Sequence, residues 1–205
     1  MADQGPKVLP DETSITRTVA ALSRRNIDAT VVGTSAEALE QLIELVPSGA
    51  ELFPGTSETL DSIGYTRYVR QNPRYINLRD KLEVEPAPEK QRELRRLSTV
   101  AEYFVGSVQA IAESGEVLVA SSSGSQIGAY AFGAKHVILV AGTQKICPSL
   151  SDAIARVRGY TLEKHDQWLA KRGINPAPIG KFMILEKEAA VGRVRMVLIK
   201  EDLGW

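Results

Sequence analysis

Residues 137–145 read VILVAGTQK, an apolar run of strand length that ends in a loop of small and polar residues. The same order of apolar run, hydroxyl-rich loop and helix-like segment occurs three more times, at 31–35, 52–57 and 117–125. Strands that alternate with helices are typical of an α/β domain with a largely parallel sheet and helices on both faces. The repeated unit therefore predicts the α/β fold class.

Hydrophobic periodicity, and the Gly and Pro residues that interrupt it, predict the individual elements. We expect a loose N-terminal leader at 1–10 and a single domain at 11–205. Helices are predicted at 11–26, 35–46, 57–63, 88–98, 100–112, 126–133 and 149–172, with Gly115 as the C-cap of the helix at 100–112. Strands are predicted at 27–32, 50–53, 117–120, 136–141, 182–185 and 194–200. The last two strands are expected to pair with each other.

The composition is that of an ordinary folded protein. Of the 205 residues, 43% are hydrophobic and 24% are charged. Lys plus Arg and Asp plus Glu each number 25, so the formal net charge is zero and gives no support to nucleic-acid binding or to binding of an anionic membrane. The chain contains no apolar run of about 18 residues, so no membrane span is expected. The N-terminal segment lacks the order of a signal peptide, and we expect a cytoplasmic protein.

The chain has one cysteine, Cys147, and two histidines, His136 and His165. A lone cysteine excludes an intrachain disulfide and cannot hold an iron–sulfur cluster. The histidines are far apart and have no acidic or thiol partners at metal-ligand spacing. We therefore expect no metal and no cofactor within this chain. Cys147 precedes a predicted helix, whose dipole can lower a thiol pKa, but a small buried residue is the favoured interpretation.

The four hydroxyl-rich loops predict a ligand site. If the four strands are parallel, all four loops emerge at one edge of the sheet, where open α/β folds bind their ligands. Hydroxyls and free N–H groups at the start of a helix suit a phosphate or a carboxylate. The alternative is that each loop is a plain turn with a hydroxyl helix cap. The candidate ligand-binding residues are Gly55, Thr56, Ser57, Ser123, Gly124, Ser125, Gln126, Gly142, Gln144 and Lys145.

Lys145 is the charged residue among these candidates. It follows Gly142 by three residues, and its compact ammonium group suits a bound carboxylate or phosphate. The alternative is a solvated surface lysine. Taken as exposed, Lys145 is expected to contribute little to folding stability.

Aromatic and basic residues alternate in the stretch 65–75, which contains three tyrosines and three arginines. Such a stretch suits a nucleic-acid patch, or a lid that brings an arginine onto a substrate carboxylate. The zero net charge opposes the first hypothesis, and a solvated loop is favoured over both. Trp168 and Trp205 are interpreted as packing anchors rather than as cofactor platforms.

Several segments resemble one known family. Residues 106–115, GSVQAIAESG, resemble its Ser-x-Asn-Ala-Ile-Thr-Glu-x-Gly segment, and 137–146 resemble its strand followed by Gly-x-Asn/Gln-Lys. Residues 123–126, SGSQ, stand where many members have Gly-Asn-Arg, and 152–158 and the ending EDLGW at 201–205 also resemble the family's pattern. The chain is similar in this way to the LUD-domain family, which includes lactate-utilisation protein C, over about 50–205.

The resemblance implies a three-layer α/β/α fold of the NagB/RpiA/CoA-transferase-like kind. It also implies a role in oxidation of L-lactate to pyruvate beside iron–sulfur subunits, as an accessory or ligand-binding component that binds a small anion. Many family members carry a cysteine-rich segment after the long helix, whereas residues 159–180 contain no cysteine. Redox and metal chemistry are therefore expected in partner subunits.

An alternative that stays open is a free-standing enzyme of the same superfamily, acting on a CoA ester, a sugar phosphate or a folate. CoA transferases use a glutamate nucleophile, and Glu113 is the candidate catalytic residue. Glu113 precedes Gly115 near the end of a predicted helix, and a helix-surface position is the favoured interpretation. A carboxylate inside the ligand pocket would favour the enzyme over the binding protein.

Overall fold

The main sheet has six strands, and all of its neighbouring strands are parallel. The computed structural model describes residues 9–205, so most of the predicted leader lies outside the described residues. In spatial order the strands are β1 (Ile27–Val32), β10 (Val194–Ile199), β7 (His136–Gly142), β4 (Tyr103–Ser107), β2 (Glu51–Pro54) and β3 (Ile76–Asn77). Three of the four strands that precede the hydroxyl-rich loops, β1, β2 and β7, therefore point the same way, as predicted.

Six of the eight α-helices lie within helices predicted from the sequence, whereas the two at 65–71 and 78–84 were not predicted. The eight are α1 (Glu12–Arg24), α2 (Ser35–Leu45), α3 (Glu58–Ser62), α4 (Tyr65–Gln71), α5 (Leu78–Val84), α6 (Pro88–Leu97), α7 (Leu150–Arg156) and α8 (Leu162–Ala170) among the described residues. A π-helical turn, Val157–Thr161, joins α7 to α8, so the predicted long helix at 149–172 is continuous. Asp11, Thr34 and Ser57 cap α1, α2 and α3 with their side chains, which explains where these helices begin.

Alternate residues of each central strand enter cores on opposite faces of the main sheet. Met196 and Leu198 of β10 pack on one face with Leu22 of α1. Val197 of β10 packs on the other face with Leu42 of α2. Because both faces are covered, the arrangement is a three-layer α/β/α fold, and the fold class expected from the sequence is confirmed.

A second sheet of four strands lies beside the first, in the order β8 (Ile146–Cys147), β5 (Ala110–Ala112), β6 (Val117–Ser121) and β9 (Lys181–Leu185). The strand at 117–120 belongs to this sheet and is antiparallel to β5 and β9. The expectation that it joins the parallel sheet was wrong. The cause is a tight reversal after β5, where Gly115 adopts φ +96° and its N–H donates to the Ala112 carbonyl. Gly115 therefore ends a strand and does not cap a helix.

The predicted helix at 100–112 was also wrong, because these residues form β4 and β5. β4 lies between two parallel neighbours and is buried on both faces, so it shows no alternation of polar and apolar residues. Its small residues and the following Ala and Ile positions imitate a helical pattern. This error matters for the site, since it placed Ser107 on a helix instead of at the end of a central strand.

The two last strands do not pair with each other. β10 inserts between β1 and β7, whereas β9 pairs with β6 in the second sheet. The connection between them crosses from one sheet to the other and is held by a buried ion pair of Arg193 with Glu188, at 2.6 Å. The Arg193 guanidinium also donates to the carbonyl oxygens of Ala129 and Ala134. A hydrogen-bonded crossover therefore replaces the predicted hairpin.

The tyrosine- and arginine-rich stretch is not a solvated loop, because it forms α4 and the turn that precedes β3. Tyr65 and Tyr75 are buried in the core below α2. Arg70 pairs with Glu83 at 2.6 Å, and Arg74 donates to the Ile43 carbonyl. Within residues 9–205, no helix is both long and apolar enough to cross a membrane.

Two buried tyrosines give a matched test of the core. The hydroxyl of Tyr65 has no hydrogen-bond partner among the described residues, whereas that of Tyr130 donates to the Ser107 carbonyl at 2.7 Å. We expect Tyr65→Phe to leave the free energy of unfolding unchanged or to raise it by up to about 1 kcal/mol, and Tyr130→Phe to lower it by about 1 to 2 kcal/mol. Urea unfolding of both variants measures the difference, and equal or reversed effects would contradict these hydrogen-bond assignments.

Candidate functional site

A cavity of about 240 Å³ opens at the carboxyl ends of β2 and β4. Its wall is rich in hydroxyls and amides from three separate loops, after β2, β4 and β6. This is the edge at which open parallel sheets bind ligands. The residues that line it include Thr56, Ser57, Glu58, Thr59, Ser107, Gln109, Ser123, Ser125, Gln126, Tyr130, Lys145, His165, Trp168 and Trp205.

Six of the ten residues proposed from the sequence line this cavity: Thr56, Ser57, Ser123, Ser125, Gln126 and Lys145. Gly55 lies directly behind them, because a Cβ atom added to it would be 2.6 Å from Oε1 of Gln126. The loop after β2 and the loop after β6 therefore meet, although they belong to different sheets. The predicted proximity of these two loops and Lys145 is confirmed, for a reason that the sequence did not show.

The other three proposed residues do not line the cavity. Gly124 adopts φ +83° in the turn after β6 and lies against the side chain of Lys181. Gly142 ends β7 and packs against Gln144 and the Glu201 carbonyl. Gln144 is turned toward the C-terminal segment, where its Nε2 atom donates to the Leu203 carbonyl at 2.8 Å. These three residues lie next to the cavity without lining it. The first hydroxyl-rich loop, at 33–35, does not line it either.

Lys145 is buried, with a relative exposure of 1%, so the expectation of an exposed lysine was wrong. Its ammonium group donates to Oγ1 of Thr59 at 2.9 Å and to Oγ of Ser107 at 3.1 Å. The two hydroxyls are 3.2 Å apart. Thr59 follows β2 on α3, Ser107 ends β4 and Lys145 follows β7, so three neighbouring strands each supply one member of this cluster.

Tyr130 supports the cluster from behind. Its hydroxyl donates to the Ser107 carbonyl, and its ring packs edge-on against Phe104 with the centroids 4.8 Å apart. Burial raises the pKa of Tyr130, which keeps the hydroxyl protonated as a donor. Gly106 lets this hydroxyl approach the strand, because any Cβ atom there would overlap it. The end of β4 is thus fixed by a buried hydrogen bond that the mistaken helix prediction had hidden.

The C-terminal segment closes the site. The carbonyl of Leu203 accepts hydrogen bonds from Gln144 and, at 3.3 Å, from the hydroxyl of Thr59. Gly204 adopts φ +65°, and a Cβ atom on it would lie 2.5 Å from Oγ1 of Thr59. This close approach places Trp205 in the cavity wall. The ending of the chain is therefore part of the site.

Aromatic residues form another part of the cavity wall. Trp168 donates from its indole N–H to Glu58, and the guanidinium of Arg172 lies 3.7 Å from the centre of its ring. The rings of His165 and Trp205 lie 6.1 and 6.3 Å from that of Trp168, respectively. Sequence reasoning interpreted both tryptophans as packing anchors, and it missed Glu58 and His165 in this role. No local pattern marks these residues, since the wall forms only when α8, α3 and the C-terminus meet.

Two earlier candidates lie elsewhere. Glu113 does not line the cavity, and it forms an ion pair of 2.8 Å with Arg17 of α1. Cys147 is buried, and burial raises the pKa of its thiol to about 11, so the thiol stays protonated at neutral pH. The residues that the structure describes include no group of three or more His, Cys, Asp or Glu side chains suited to a metal ion.

Comparison with known families gives the fold and the site a context. The model of the LUD domain matches residues 15–171, which is most of the chain. The chain belongs to the LUD-domain family. A crystal structure of a DUF162 family protein from Deinococcus radiodurans matches with a TM-score of 0.56 and 10% identity, over 94% of this chain and 98% of that one. This likeness shows the fold alone, and a search of curated proteins finds no match.

The matched part of this LUD-domain protein stops before β9 and β10. β10 nevertheless lies between β1 and β7 in the main sheet, and Trp205 lines the cavity. Residues 172–205 thus complete both the sheet and the site.

Two glycines with positive φ test the role of the C-terminal segment. We expect Gly204→Ala to displace this segment from Thr59 and to shift tryptophan emission to longer wavelength as Trp205 becomes more exposed to water. Gly192 has φ +78° and nothing within 4 Å of an added Cβ atom, so Gly192→Ala is the matched control. It should lower the free energy of unfolding by about 1 to 2 kcal/mol through backbone strain and leave the emission unchanged. An unshifted spectrum for Gly204→Ala would contradict the proposed closure.

Proposed function

We propose that this LUD-domain protein binds a small carboxylic acid, of the lactate or pyruvate class, in the cavity above Lys145. In this proposal it resembles lactate-utilisation protein C and serves as an accessory or ligand-binding component of L-lactate oxidation to pyruvate. The observation that carries the proposal is the buried ammonium group of Lys145 in a cavity wall made largely of hydroxyls. Membership of the LUD-domain family supports the link to lactate.

The chemistry of the wall suits a hydroxy acid. An ammonium group that is shielded from water attracts an anion more strongly than an exposed one does, because the local dielectric constant is lower. The hydroxyls of Thr56, Ser57 and Ser123 offer hydrogen bonds to the remaining carboxylate oxygen and to the 2-hydroxyl of the acid. Glu58, whose carboxylate lies in this wall, is 3.9 Å from the guanidinium group of Arg172, which compensates its charge.

Oxidation of lactate also needs an acceptor for the electrons that leave C2. Cys147 is the lone cysteine, it is buried, and its raised thiol pKa does not suit an iron ligand. The residues present therefore do not fit an iron–sulfur cluster, and we derive no redox step from this chain. In the proposal, iron–sulfur subunits are the partners that carry electrons, and this protein holds the acid.

The second candidate is a free-standing enzyme of the NagB/RpiA/CoA-transferase-like superfamily, acting on a CoA ester, a sugar phosphate or a folate. One observation favours it, since Glu58 places a carboxylate in the cavity wall. That carboxylate already accepts the indole N–H of Trp168. We therefore rank the binding-protein hypothesis first. The enzyme hypothesis predicts that CoA esters, sugar phosphates or folates bind in place of lactate and that Glu58→Gln abolishes their turnover.

The two tryptophans make binding directly measurable, because both line the cavity and the chain has no others. We expect titration with lactate or pyruvate to change tryptophan emission saturably, and the neutral analogue lactamide to have no such effect. Lys145→Met should weaken binding of the acid by about 1.5 to 3 kcal/mol, the usual contribution of a hydrogen bond to a charged group. Lys135→Met is the matched control, because Lys135 is exposed and does not line the cavity.

Circular dichroism and urea unfolding must show that the Lys145→Met protein is folded, because the substitution removes the ammonium group that donates to the buried hydroxyls of Thr59 and Ser107. Thr59→Val is a milder second variant that removes one hydroxyl holding the ammonium group. Equal binding of lactate and lactamide, or unchanged lactate affinity in a folded Lys145→Met protein, would contradict the proposal.

A further inference from the structure

A second, smaller cavity of about 70 Å³ adjoins the first. Six residues line both cavities: Gln109, Ala120, Ser121, Ser122, His165 and Trp205. The two cavities therefore adjoin and share part of their walls. A volume of this size has room for about five water-sized groups, enough for a short branched carbon chain.

The side cavity differs from the main cavity in its chemistry. Beyond the shared wall it is lined by Val157, Leu162, Ala177, Pro178 and Ile179, together with the hydroxyl-bearing Thr161. The main cavity presents an ammonium group and several hydroxyls instead. A cationic end and an apolar end therefore adjoin, which is the pattern of a site for an amphipathic small anion.

The backbone is shaped around this side cavity. Val157 and Thr161 are the first and last residues of the π-helical turn between α7 and α8, and both are buried. The other π-helical turn, Ala129–Gly133, carries Tyr130 into the wall of the main cavity. Such turns are rare and are frequently found at functional sites. Each of the two π-helical turns within residues 9–205 contributes to the wall of one of the two cavities.

Thr161 supplies a further observation. Its side chain is buried, at 5% relative exposure, and its hydroxyl has no hydrogen-bond partner among the described residues. A buried hydroxyl without a partner disfavours folding. An apolar group in the side cavity would offer it no hydrogen bond, so a methyl group at this position should suit such a ligand better.

We propose that the side cavity receives the apolar tail of the acid whose carboxylate Lys145 binds. The preferred ligand is then a 2-hydroxy or 2-oxo acid with a branched or aromatic side chain larger than the methyl group of lactate. This inference rests on the proposed function, and it names the class of acid. Each methylene group moved from water into an apolar cavity should tighten binding about fourfold.

A series of acids tests the inference by tryptophan fluorescence. Lactate, 2-hydroxybutyrate, 2-hydroxy-4-methylpentanoate and 3-phenyllactate share the carboxylate and the 2-hydroxyl and differ in the tail. We expect affinity to rise about fourfold per added carbon until the side cavity is full. If no acid of the series binds, the proposed function fails. If lactate binds and the longer acids bind no more tightly, only the inference about the tail fails.

Two variants locate the tail. Ala177→Leu fills the side cavity from a loop and should bring the affinity for 2-hydroxy-4-methylpentanoate down to that for lactate, with lactate binding unchanged. Ala170→Leu is the matched control, because Ala170 is exposed on α8 and lines neither cavity. Thr161→Val exchanges only a hydroxyl for a methyl group and should increase the affinity for 2-hydroxy-4-methylpentanoate severalfold. A folded Ala177→Leu protein that still prefers the longer acid, or an unchanged preference in Thr161→Val, would overturn the inference.

Discussion

The hydrogen bonds from the Lys145 ammonium group to Thr59 and Ser107 are the interaction on which the rest of the site depends. A buried ammonium group loses its hydration, at a cost of several kcal/mol, so its polar neighbours must be held firmly in place. The three residues come from the ends of β2, β4 and β7, which are consecutive in the order β7-β4-β2. The parallel sheet therefore determines where the charge lies.

Two further constraints act on the same cluster. Tyr130 anchors the end of β4 from one side, and the Leu203 carbonyl accepts the hydroxyl of Thr59 from the other. The second contact positions the C-terminal segment, since Gly204 approaches Thr59 closely and Trp205 lines the cavity. One cluster thus links the sheet, the C-terminal segment and the main cavity. In our proposal it also binds the acid.

The sequence predicted those parts of the molecule that local patterns determine. The run VILVAGTQK at 137–145 and the loops at 55–57 and 123–126 identified six cavity residues correctly, because an apolar run followed by a hydroxyl-rich loop is a local signal. It failed at Ser107, whose strand is buried on both faces and has a helix-like pattern. It predicted the strand at 117–120 but assigned it to the parallel sheet, because the reversal at Gly115 depends on backbone geometry. The aromatic part of the wall consists of His165, Trp168 and Trp205 together with Glu58, and contacts between positions so far apart in sequence leave no local pattern.

The most direct test of the account is a crystal structure of the protein with a bound 2-hydroxy acid. The account predicts a carboxylate oxygen within about 3 Å of Nζ of Lys145, the distance of a charged hydrogen bond, with the 2-hydroxyl toward the loop at 56–57 and the tail toward Val157 and Thr161. An acid bound elsewhere, with Lys145 contacting only Thr59, Ser107 and other protein groups, would contradict it.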